Sequence, residues 1–95
     1  MKKEIIFRNS VVTVERAKTA AILQISPADT DKLAILADTI NNSECITVIT
    51  VLPSRGKVLF TVERSTKNSE IMDVVCNAIS HVYDVDTTIC HAGIH

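Results

Sequence analysis

The chain has no tryptophan, one tyrosine and two phenylalanines. Stacking on bases or sugars therefore has little material to work with, and the core must come from isoleucine, valine, leucine and alanine. Glycine is scarce too, at two residues. The turn "PSRG" lacks the glycines and lysine spacing of a phosphate-binding loop, and no serine sits in a nucleophile elbow. No excess of one charge is present either, the formal net charge being -1. A general nucleic-acid binder would show a concentrated basic face, so that class is disfavoured. No apolar run approaches the ~20 residues needed to cross a bilayer. The opening "MKKEIIFRNS" carries the lysines of a secretory leader, but Glu4, Arg8 and Asn9 interrupt its apolar centre, so a cytoplasmic location is expected. Three cysteines, Cys45, Cys76 and Cys90, lie far apart without a CxxC pair. Neither a disulfide framework nor a zinc ribbon is suggested, and free thiols are expected.

What is present fits one compact domain with a modest core, since 46% of 95 residues are hydrophobic. "KTAAILQIS", Lys18 to Ser26, reads as a strand ending at "SPAD". Ser26 is a candidate cap, Pro27 suits a first helical turn, and Asp29 falls where a carboxylate meets unpaired backbone donors. Leu33, Leu36, Ala37 and Ile40 then recur at helical spacing until "NNS" stops the helix. Cys45 to Leu52 is rich in β-branched residues, and "PSRG" joins it to Lys57 to Arg64 as a hairpin. A second helix over about 69–83 carries Met72, Val75, Cys76, Ile79 and Val82 at three- and four-residue steps. "TTICHAGI" reads as a closing strand.

The order is strand, helix, strand, strand, helix, strand. It predicts an α+β, ferredoxin-like split fold, with a four-stranded antiparallel sheet and two helices on one face. This domain spans 18–95. It is preceded by an N-terminal extended arm, 1–17, in which "EIIF" and "VVTVE" suggest an extra strand or ribbon. Alternation turns Val58, Phe60 and Val62 toward the helices and leaves Leu59, Thr61 and Glu63 on the open face. On the first strand Leu23 and Ile25 point inward, and Ile22 and Gln24 outward. In the last strand the sets Ile89 with His91, and Cys90 with Ala92 and Ile94, remain alternatives, because a slip of one residue exchanges the faces.

Candidate chemistry is sparse. "CHAGIH", with Cys90, His91 and His95, has ligand types suited to zinc but lacks a fourth ligand and a paired spacing. His81 lies beside an apolar helical stripe and reads as a surface residue. Arg55 and Gly56 read as a solvated turn. Asp29, Asp31, Asp84 and Asp86 cluster near helix ends, where capping explains them. A non-catalytic protein without metal or cofactor is the expectation.

The stretch "GKVLFTVERSTKNSEIMDVVCNAISHVYDVDTTICH" resembles the NapD family, small cytoplasmic chaperones that assist maturation of periplasmic nitrate reductase. The resemblance covers roughly 20–95, with Gly56, Glu63, Val85 and His91 at or near corresponding places. It departs at "NNSEC" and "YDVD", where members commonly carry glycine, and in the length of the arm. The resemblance implies a chaperone that binds the twin-arginine signal peptide of an exported redox enzyme. The peptide would lie as a helix on the sheet, against Ile22, Gln24, Leu59, Thr61 and Glu63, with Glu63 pairing an arginine. Two alternatives stay open. One is an ACT-like small-ligand domain, disfavoured by the glycine-free "SPADTD" junction. The other is an assembly subunit or homodimer joined through the arm.

Overall fold

The computed structural model describes residues 1–87. They form an α+β fold of five strands and two α-helices. The strands are β1 (Lys2–Phe7), β2 (Ser10–Ala17), β3 (Ala20–Ser26), β4 (Ile46–Leu52) and β5 (Lys57–Val62); the helices are α1 (Thr30–Asn41) and α2 (Asn68–Tyr83). All strand pairs are antiparallel, in the order β1-β2-β3-β5-β4.

One face of the sheet and both helices share one core. Ile5 and Phe7 from β1, Val12 and Val14 from β2, Leu23 and Ile25 from β3, and Val58, Phe60 and Val62 from β5 meet Leu33, Leu36 and Ile40 of α1 and Ile71, Val75 and Ile79 of α2. The period-two pattern on β3 and β5 thus turns the expected residues inward. The same pattern buries Ile5 and Phe7, and Val12 and Val14, so the ribbon β1–β2 contributes to the same core.

The sheet corrects the expected strand count from four to five. β3 and β4 flank β5, as a split strand-helix-strand unit requires, but β2 pairs along the other side of β3, from Val11↔Ser26 to Ala17↔Ala20. That is the edge a closing strand beside β3 would need. β2 follows the alternation that buries Val12 and Val14, and a two-residue turn brings it there directly. The expected closing strand, with Cys90, His91 and His95, falls outside the described residues.

The start of α1 is a second correction. Asp29, rather than Ser26, is the N-cap, its carboxylate accepting from the Lys32 amide at 3.2 Å. Ser26 is still paired in β3, and a cis peptide bond joins it to Pro27. A side-chain cap works only within two or three residues of the free amide it serves, which Asp29 satisfies and Ser26 does not. The cysteine reading changes in part. Cys45 is a free, half-buried thiol, whereas Cys76, buried on α2, is disulfide-bonded.

With glycine scarce, other residues adopt left-handed backbone. Arg8 (φ 52°) turns β1 into β2, Lys18 (φ 60°) turns β2 into β3, and Asp84 (φ 53°) ends α2. Gly56 (φ 66°) closes the β4–β5 connection where a side chain has no room, since a Cβ there would run into the Ile25 carbonyl oxygen. The Gly56 carbonyl accepts from the Ile25 amide at 2.8 Å, which ties this turn to the end of β3.

Candidate functional site: the sheet face opposite the helices and two hollows near it

The sheet face opposite the helices is where Ile22, Gln24, Leu59 and Thr61 come together. Register places Ile22 against Leu59, Gln24 against Lys57 and Ala20 against Thr61. Ile22 is 41% exposed, and Ile6 and Ile49 on the flanking strands are 55% and 62% exposed. Ile49 owes its position to a bulge, because Val48 pairs with Phe60 and Thr50 already pairs with Leu59. The polar frame of this face is Thr13, Glu15, Gln24 and Lys57, which with Ile22 line a shallow hollow of about 140 Å³. The Lys2 ammonium lies 3.4 Å from the Glu15 carboxylate at its margin.

Thr13, Glu15, Ile6 and Ile49 were not among the residues expected on this face. The alternation of "VVTVE" would have put Thr13 and Glu15 on one side, but only pairing with β3 brings them beside Ile22 and Gln24. Ile49 had no signal at all, because a bulge leaves no mark in a β-branched run.

Glu63 departs from the expected group. β5 ends at Val62, and Glu63 lies beyond it at the head of the loop to α2. With Glu44, Cys45, Ser65, Thr66 and Glu70 it lines a separate hollow of about 350 Å³. The chain bends there, so strict alternation cannot be carried past the last paired residue.

The 63–68 loop is held from its other side by Arg16. The Arg16 guanidinium donates to the carbonyl oxygens of Lys18 (2.7 Å), Thr66 (2.5 Å), Glu63 (3.2 Å) and Arg64 (3.5 Å), and to Asn68 Oδ1 (3.0 Å). These acceptors are neutral, so the guanidinium charge is not cancelled by a carboxylate. Arg16, Lys18 and Arg64, with Met1 and Asn68, line a hollow of about 510 Å³. Hollows of opposite sign therefore flank one loop. Among the described residues no group of three or more His, Cys, Asp or Glu side chains is gathered closely enough to hold a metal ion. His81 is exposed on α2.

Together these features define a small α+β protein with one sheet face that no described helix covers and polar hollows near its end. No protein-family model matches the chain, and neither a curated protein nor a solved structure matches it. No helix among the described residues is long and apolar enough to cross a membrane.

Proposed function

We propose that the protein is a NapD-like chaperone that binds the twin-arginine signal peptide of an exported redox enzyme and assists its maturation before export. The observation that carries this reading is the pairing of Ile22 with Leu59 on a sheet face that no described helix covers. A leader peptide folded as an amphipathic helix would bury its apolar stripe there, with Gln24, Thr61, Thr13 and Lys57 supplying polar contacts at the rim. The protein acts by binding and release, without turnover. The split arrangement of β3, α1, β4 and β5 supports a ferredoxin-like core, extended by the β1–β2 ribbon. Among the described residues β1 ends the sheet with one edge unpaired, which favours a homodimer as the second reading.

A cytoplasmic site of action belongs to this proposal, and the bonded state of Cys76 bears on it, because cytosolic thiols are ordinarily kept reduced. Thiol labelling of protein taken directly from cells tests the point. The function itself is tested by calorimetry with leader peptides against the wild-type protein and its Leu59→Glu variant. Saturable binding by wild type, lost in the variant, is the expected outcome. Absence of binding to every twin-arginine leader tried would end the proposal.

A further inference from the structure

Lys18, at the turn between β2 and β3, and Arg64, in the loop before α2, share the wall of one hollow with Arg16, Asn68 and Met1, and no carboxylate lines it. Three cations from separate parts of the chain thus border one space of about 510 Å³. The Lys18 ammonium and the Arg64 guanidinium have neither a hydrogen bond nor an ion pair among the described residues, where the salt bridge joins Lys2 and Glu15 instead. Like charges gathered without a counterion repel one another.

The Arg16 guanidinium spends its N–H groups on backbone carbonyls and on Asn68, so it supplies charge and order to the hollow rather than a free donor. One of these contacts fixes a further donor. A guanidinium only donates, so the Asn68 amide must present Oδ1 to Arg16, at 3.0 Å, which leaves its Nδ2 group without an acceptor among the described residues. Asn68 also opens α2, whose N-cap, Lys67, offers no side-chain acceptor to the first amides. A helix start carries partial positive charge and favours an anion. Glu70, the acidic residue of that first turn, lines the hollow on the other side of the loop. The helix end alone would not make a site, but here it adds to a ring of cations and a fixed amide donor that already lack an anion.

We propose that this hollow binds a phosphate monoester group. Its charge approaches -2 at neutral pH, and its three terminal oxygens diverge. They match donors arriving from three directions, Lys18 from the β2–β3 turn, Arg64 from the loop and Asn68 from α2. A carboxylate offers one charge and two oxygens in a plane, which three such donors cannot share equally. The loop is already ordered by Arg16, so the donors on it need little rearrangement on binding. The site does not depend on a peptide lying on the sheet.

The test uses the whole protein, isotopically labelled, titrated at constant ionic strength and about pH 7.5 with inorganic phosphate or with acetate while amide resonances are followed. Phosphate should shift Lys18, Arg64, Asn68 and Ser69 saturably, and acetate several-fold more weakly. Lys18→Gly suits the left-handed backbone at that position, and Arg64→Gln changes an exposed side chain, so both variants should stay folded. Each should weaken phosphate about fivefold, the upper range for one exposed charged contact, and the double variant should lose saturation. Arg55→Gln, at the other end of β5, should bind as wild type. Equal affinity for acetate would remove the phosphate assignment, and undiminished binding by the double variant, or no saturable shift at all, would remove the site. Sedimentation with phosphatidic acid vesicles, against phosphatidylcholine alone, separates two sources of the same group. Capture of wild type but not of the double variant assigns a lipid headgroup, and no capture beside saturable phosphate binding assigns a soluble ester. Since these probes carry no apolar helix, failure here leaves the sheet-face reading to its own calorimetric test.

Discussion

Arg16 and Thr66, fifty residues apart in the chain, are joined by an N–H···O=C hydrogen bond of 2.5 Å. It is one of four contacts through which a single guanidinium holds the 63–68 segment leading into α2. Arg16→Lys keeps the charge but cannot reproduce the fork. We expect it to cost about 1 kcal/mol, the net loss of hydrogen bonds to a loop in which Thr66 is buried and its neighbours are exposed. Urea denaturation measures this, and a variant as stable as wild type would show that the clamp contributes nothing net.

Leu59 and Phe60 are adjacent but face opposite ways. Phe60 is 1% exposed in the core, so Phe60→Ala should cost about 3–5 kcal/mol, close to the whole margin of a small domain. Leu59→Glu on the uncovered face should cost about 1 kcal/mol or less, while abolishing leader-peptide binding. Thermal melts beside calorimetry separate the two effects. Unfolding by Leu59→Glu with survival of Phe60→Ala would reverse the assignment of faces.

Asp84 ends α2 in the left-handed region, at φ 53°. Glycine adopts this conformation without the Cβ penalty, so Asp84→Gly should raise stability by about 0.5–1 kcal/mol despite the greater freedom it gives the unfolded chain. A lowered melting temperature would mean that the aspartate side chain stabilises the helix end by more than the backbone strain costs.

Tyr83 has a raised pKa, first because burial disfavours its phenolate and second because Asp29 is nearby. Its hydroxyl is buried without a hydrogen-bond partner among the described residues. Above pH about 10 the unfolded chain releases this proton while the folded protein retains it. Stability is therefore unaffected below that pH and falls as pH rises through the window above it. Tyr83→Phe should abolish this alkaline component and leave stability at neutral pH equal or slightly higher. The chain has one tyrosine, so its phenolate absorbance reports the titration directly. A midpoint at the ordinary tyrosine value in the folded protein would contradict burial as the cause.

The helices and the inward faces of β3 and β5 were legible in the sequence because burial repeats with the period of the element, and apolar residues spaced at that period mark the buried side. Leu33, Leu36 and Ile40, or Val58, Phe60 and Val62, declare their face without reference to any other part of the chain. Sheet order is different in kind. The pairing of β2 with β3 depends on which free edge a ribbon reaches first, and "VVTVE" reads the same wherever it docks. The bulge at Ile49, the displacement of the α1 cap to Asp29 and the departure of Glu63 from the sheet face all occur where a regular element ends or slips, and there periodicity carries no information. The hollow of Glu44, Glu63, Thr66 and Glu70, and the Arg16 clamp behind it, join residues distant in sequence. Local pattern records which way a side chain faces, and only the tertiary packing of loops decides which side chains meet.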